Sequence, residues 1–151
     1  VMLGYYKNPE VTQQVLDNEG WYHSGDLATM DENGYVFIKG RSKNMLLGAN
    51  GQNVYPEEIE DKLNSMTMVV ESLIIQKGDK LVALVYPDYE EAKNMGFTND
   101  DLQHIMEQNI LELNQVHPAY SKISQVKLME DEFEKTPKKS IKRYLYKDVE
   151  I

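Results

Sequence analysis

Three short stretches of this chain combine glycine with charged and hydroxyl side chains more densely than packing requires. The first is Gly20-Trp21-Tyr22-His23-Ser24-Gly25-Asp26-Leu27. A carboxylate that follows a glycine turn, as Asp26 does, can accept two hydrogen bonds from a vicinal diol such as a ribose. It can equally cap a turn or a strand end. The second is Gly40-Arg41-Ser42-Lys43, where the Arg41 guanidinium offers a fork for ribose or phosphate oxygens, or stands as an exposed linker cation. The third is Lys135-Thr136-Pro137-Lys138-Lys139-Ser140-Ile141-Lys142-Arg143. Its charge suits one compact anion, a nucleotide phosphate or a carboxylate, and also suits a solvated terminal segment. His23 and Ser24 are adjacent, but the sequence offers no third partner, so a hydrolase triad is set aside.

The elements that must carry these stretches can be read from pattern. Val1 to Tyr6 is extended, and Pro9 to Asp17 starts a helix with Val11, Val15 and Leu16 on one side. Asp31-Glu32-Asn33-Gly34 is a hairpin signal ahead of a strand at Tyr35–Lys39, which Gly40-Arg41-Ser42-Lys43-Asn44 interrupts. A domain boundary is expected there, with 1–41 and 42–151 as separate parts. Beyond it, Gly48-Ala49-Asn50-Gly51 forms a tight loop, and Pro56 opens a helix whose first turn is acidic. Ile59 and Leu63 give that helix its buried side. Val69–Gln76 and Lys80–Tyr86 read as strands joined at Lys77-Gly78-Asp79, and Ser124–Met129 as a last strand. Between them a helix begins near Thr98, with Asp101 in a capping-box position and Leu102, Met106, Ile110 and Leu113 as its apolar stripe. The fold class expected is α+β: a small sheet of about three strands with packed helices, preceded by a β-rich segment.

Composition narrows the partners. The 151 residues carry 25 acidic and 16 basic side chains, a formal charge of −9, and 41% hydrophobic residues, enough for a core. Six of the basic residues lie from Lys135 to Lys147, a span with no acidic residue. An acidic body with one basic hook argues against general nucleic-acid binding, which needs a broad positive face. The absence of cysteine excludes disulfides and Cys-ligated metal sites, and no other metal site is expected. No apolar run approaches the ~20 residues that span a bilayer. With no signal-like segment and Val1 in first position, we expect a piece of a longer cytoplasmic protein.

Taken in order, the motifs resemble the adenylate-forming (AMP-binding) superfamily of acyl-CoA synthetases, luciferases and peptide-synthetase adenylation domains. The likeness is greatest to the C-terminal region of long-chain fatty-acid CoA ligases. Val1-Met2-Leu3-Gly4-Tyr5-Tyr6 is similar to the segment leading out of the family's large domain, and Gly20-Trp21-Tyr22-His23-Ser24-Gly25-Asp26 to its Gly-Trp-(aromatic)-x-(Thr/Ser)-Gly-Asp motif. Gly40-Arg41-Ser42-Lys43-Asn44 and Gly51-Gln52-Asn53-Val54-Tyr55-Pro56-Glu57-Glu58-Ile59-Glu60 resemble its hinge and the loop that follows. The resemblance covers essentially the whole chain.

It implies that Asp26 holds the ribose hydroxyls of ATP or acyl-adenylate, with Arg41 beside it. Lys43 falls on the hinge about which a small C-terminal lid rotates, and Asn50, Gly51 and Gln52, with Ala49, line the pantetheine tunnel. The implied reaction converts ATP and a fatty acid to acyl-AMP and pyrophosphate; CoA thiol then displaces AMP. ATP, Mg²⁺ and CoA are co-substrates, and none is expected to bind the fragment tightly. The family's closing Thr-Pro-x-x-Lys-(Ile/Leu)-x-Arg pattern puts Ser140 on the lysine position. Lys139 is the favoured substitute, with Lys138 and Lys142 as the other lysines at hand. Impaired adenylation is the alternative, which would leave a weakened nucleotide- or CoA-binding homologue. A third reading loads a carrier protein instead of free CoA. The family's phosphate-binding loop and acyl pocket lie in its large domain, so this piece alone is expected to be inactive.

Overall fold

The computed structural model describes residues 1–48 and 50–151. The tunnel assignment of Ala49 therefore lies outside the described residues. The contacts divide the chain into two compact units, Val1–Asn44 and Met45–Ile151.

In the first unit, α1 (Pro9–Val15) starts where Asn8 caps it, the side chain accepting the Val11 N–H at 3.1 Å. Val1–Tyr6, read as extended, forms no strand. The strands β1 (Asp26–Met30) and β2 (Val36–Arg41) pair antiparallel. Their turn closes on the Asp31 carboxylate, which accepts the N–H groups of Asn33 and Tyr35, both at 2.9 Å. Gly34, at φ +85°, supplies the left-handed step expected there. One expectation is corrected: the chain does not break at Gly40-Arg41. A bulge shifts the register between Leu27 and Ala28, pairing Leu27 with Gly40 and Asp26 with Arg41, so β2 continues through both residues.

The second unit is built on a three-stranded sheet. β5 (Val69–Lys77) pairs antiparallel with β6 (Lys80–Pro87), and β6 pairs parallel with β7 (Ile123–Leu128). The parallel pair requires a crossover, which α3 (Tyr89–Met95) and α4 (Asn99–Val116) provide. The capping box at Thr98 and Asp101 is complete. The sequence reading had no counterpart to α3, a short helix that Asp88 caps and Gly96 ends. Ahead of the sheet, a small hairpin of β3 (Leu46–Leu47) and β4 (Asn53–Val54) leads directly into α2 (Pro56–Asn64).

Both faces of the sheet are buried, which is why β5 and β6 read as continuous apolar runs rather than alternating ones. Ile74, Leu81, Ala83 and Val85 face one core with Ile59 and Leu63 of α2 and Met106, Ile110 and Leu113 of α4. Leu73, Ile75, Val82 and Leu84 face a second core. Phe133, Ile141, Tyr146 and Val149 of the C-terminal segment pack on that second face. Leu63 is fully buried in the first core. Leu63→Ala should therefore cost about 2–5 kcal/mol, seen as a lowered urea midpoint with an unchanged m-value.

Candidate functional site

Each of the two units carries candidate groups. In the first, the register of β1 and β2 puts Asp26 directly opposite Arg41. The Arg41 guanidinium donates to Asp26 Oδ1 and, at 3.1 Å, to the Ser24 carbonyl. The Ser24 hydroxyl accepts the Asp26 N–H at 3.2 Å. Hydrogen bonding from Arg41, then from Ser24, holds the Asp26 carboxyl below its ordinary range. Asp26 is thus a fixed, ionised acceptor on a strand end, with about a third of its side chain open to solvent. A carboxylate has more lone-pair sites than one guanidinium bond uses, so this arrangement can also receive a diol.

His23 does find a carboxylate, which the sequence reading missed: its Nε2 lies 3.0 Å from Asp17 Oδ2. Asp17 also accepts the N–H groups of Trp21 and Glu19, and these bonds with His23 hold its carboxyl low. The pair braces the turn before the glycine motif. Because the Ser24 hydroxyl serves Asp26, the three residues form no nucleophilic relay. Lys43 is exposed in the turn that the Asn44 N–H closes onto the Arg41 carbonyl at 2.9 Å, immediately before the division between the units.

In the second unit, Asn50, Gly51 and Gln52 cross the tip of the β3–β4 hairpin. The Gly51 N–H donates to the Gly48 carbonyl, and the Gly48 N–H to the Gln52 carbonyl, each at 2.8 Å. Gly51 at φ +77° has open space where a Cβ would stand. The Gln76 amide of β5 pins the hairpin by donating to the Leu47 carbonyl at 2.9 Å. All three tip residues are exposed.

The basic hook is itself a hairpin. Lys135 and Ile141 form an antiparallel bridge, the Thr136 N–H donates to the Ser140 carbonyl at 2.8 Å, and the Lys139 N–H donates to the Thr136 carbonyl at 2.8 Å. The loop between has three residues, Pro137, Lys138 and Lys139, and the last adopts φ +61°. This is the three-residue hairpin loop whose final position is left-handed. Lys138, Lys139 and Ser140 are exposed at its tip. Other hook cations are engaged. Lys142 meets Glu134 at 3.0 Å and Lys135 meets Glu71 at 2.8 Å, bonds that raise the pKa of both lysines. Arg143 pairs with the buried Glu60. Sequence reasoning found the hook but not these anchors. Their signal was present, because Pro56, Ile59, Glu60 and Leu63 share one helical face, which places Glu60 with the apolar stripe.

Residues 43–148 match the model of the AMP-binding enzyme C-terminal domain, and the chain belongs to that family. It is 40% identical over 80 residues to the medium-chain fatty-acid–CoA ligase of Escherichia coli, a match covering 53% of this chain and 14% of that protein. It is 43% identical over 75 residues to the human mitochondrial medium-chain acyl-CoA ligase ACSF2, covering 50% of this chain and 12% of that one. Among solved structures, the adenylation domain of a Mycobacterium chelonae carboxylate reductase shares the fold with a TM-score of 0.84 at 21% identity, over 97% of this chain and 24% of that one. ATP-bound MatB from Rhodopseudomonas palustris aligns with a TM-score of 0.67 at 28% identity, over 98% of this chain and 29% of that one. The chain thus spans between about an eighth and under a third of the length of these relatives. Among the described residues, no helix is long and apolar enough to cross a membrane.

Proposed function

We propose that this chain is the lid-bearing end of an AMP-forming acid–thiol ligase. That ligase activates a long-chain fatty acid with ATP and transfers the acyl group to CoA. Residues 1–41 would close the large adenylating domain, and 42–151 would form the lid. The observation that carries the reading is a C-terminal-domain match that begins at residue 43, directly behind the Arg41–Asp26 pair. An ionised diol acceptor and a lid of this family stand next to each other in the chain. Asp26 binds the ribose with Arg41 at its flank. Lys139, at the exposed hook tip, neutralises charge that develops as the carboxylate attacks the α-phosphate and pyrophosphate leaves. Asn50, Gly51 and Gln52 admit the pantetheine arm past a glycine with no Cβ to block it. Mg²⁺ would enter with the nucleotide and screen its phosphates. The large domain supplies the acyl pocket, so the piece alone should be inactive.

Fatty-acid-dependent ATP–pyrophosphate exchange by the complete protein, followed by CoA-dependent release of AMP, tests the reading. Exchange with no acyl transfer to free CoA would favour a carrier-protein acceptor. Ser140, uncharged where the family carries lysine, supports the second reading, a weakened nucleotide- or CoA-binding homologue. That reading is favoured if exchange is absent. At the hinge, Lys43→Pro should restrict the φ/ψ change that lid rotation needs. Thioester formation should then fall at least about tenfold more than pyrophosphate exchange. Equal losses in the two half-reactions would remove the hinge assignment.

A further inference from the structure

We infer that Glu60 is a positioning residue for the hook: through Arg143 it fixes the orientation in which the lysine hairpin meets the nucleotide. The inference rests on the adenylating reading above. Glu60 lies on α2 and is 7% exposed. Its Oε1 accepts the Ile74 N–H of β5 at 2.7 Å, and its Oε2 receives the Arg143 guanidinium. One carboxylate therefore joins the helix, the sheet and the exit of the hook.

The entrance of the hook has a matching anchor. Glu71 of β5 accepts the Phe133 N–H at 2.9 Å and pairs with Lys135 at 2.8 Å. Between these two carboxylates Ile141 roots the hairpin in the second core, while the tip residues stay in solvent. Ile141 and Phe133 in the second core, with the Glu71 contacts, set where the hairpin stands. The Glu60–Arg143 pair removes the remaining freedom to pivot about those contacts.

Stability by itself does not account for placing a buried carboxylate in this pair. Burial pushes the Glu60 carboxyl up despite Arg143 and the Ile74 amide, so ionising it works against a desolvation cost. Apolar side chains of similar size can fill such a site at equal or better stability. What they cannot reproduce is a directional bond between α2 and the hook. The same carboxylate ties the hook to α2, the helix into which the β3–β4 hairpin leads.

The test uses the complete protein as wild type, Glu60→Gln, and Glu60→Gln combined with Arg143→Met. The single variant leaves a partly buried guanidinium without its counter-ion and should lower both the melting temperature and the exchange rate. In the double variant no unpaired charge remains, so the melting temperature should return to within about 2 °C of wild type. The kcat for ATP–pyrophosphate exchange should stay depressed by about 10²-fold, with KM for ATP changed less than about threefold. Amide hydrogen exchange at Lys142 and Leu145, whose N–H groups bond to the Glu134 and Lys142 carbonyls, should quicken by about tenfold or more while β6 stays protected. Recovery of kcat together with stability would overturn the inference, as would unchanged protection of Lys142 and Leu145. If the wild type shows no pyrophosphate exchange, the adenylating reading fails on its own. The amide measurement still decides whether Glu60 orients the hook.

Discussion

Replacing Lys139 with alanine in the complete protein should lower fatty-acid-dependent ATP–pyrophosphate exchange by about 10²- to 10³-fold. The expectation follows from where the hook leaves its charges. Lys135 and Lys142 are tied to carboxylates and Arg143 is tied to Glu60, whereas Lys139 stands at the exposed tip next to Ser140. A cation serves nucleotidyl transfer when its field is directed at the charge developing in the transition state, and a braced hairpin provides that direction. Alanine also changes the backbone preference, because position 139 is left-handed at φ +61°. Lys139→Gly separates the two effects: glycine suits that backbone, so an equal loss with glycine assigns the effect to the charge. Ser140→Lys should raise exchange, restoring a cation at the family's position. Exchange that survives Lys139→Ala and falls in Lys138→Ala or Lys142→Ala would move the role to that lysine. No exchange in the wild type, restored by Ser140→Lys, would make the weakened homologue the better reading.

Asp26→Ala should weaken ATP and AMP binding by about 10²-fold, since a carboxylate that accepts two hydroxyl donors makes charge-assisted bonds that alanine cannot replace. Removing a ribose hydroxyl from the nucleotide should cost affinity in the wild type and little more in Asp26→Ala. Independent, additive losses would remove the ribose assignment. Acid dependence provides a further check. Arg41 and Ser24 hold the Asp26 carboxyl below its ordinary value of 3.8, so its folded-state pKa is depressed. The contribution of the ionised form is therefore constant through neutral and mildly acidic pH, and is lost only as pH falls through that depressed value. In Arg41→Ala the loss should begin at higher pH, because the largest stabilising contact of the carboxylate is gone. Calorimetric titration with AMP across pH reads both effects.

Much of the fold was legible because local chemistry and tertiary need agree. Asp31 to Gly34 carry the turn chemistry the β1–β2 hairpin uses. Thr98 and Asp101 close the capping box that starts α4. Ile59, Leu63, Leu102, Met106, Ile110 and Leu113 are buried as their helical spacing requires. β2 runs further than its local pattern suggests, through Gly40-Arg41, where glycine signals a break in isolation but a bulge in a paired strand. The short α3 has too little apolar periodicity to stand out, with Ala92 its one buried residue.

Residue types and their order determined which groups can do chemistry in this chain: a carboxylate after a glycine turn, cations in the Gly40–Asn44 turn, a glycine loop and a lysine hook. Those are covalent facts of the sequence, and the motifs keep their spacing whatever the packing. Only the tertiary structure decided what each group touches. It set Arg41 opposite Asp26 through a strand register, gave His23 to Asp17, and turned the hook into the cover of a second core. It also selected, from several similar lysines, which are bound by carboxylates and which stay at the tip. The reason is distance along the chain. Glu60 and Arg143 meet across a separation of 83 residues, Phe133 and Glu71 across 62, and no local pattern encodes a contact that the burial of a whole sheet must bring together.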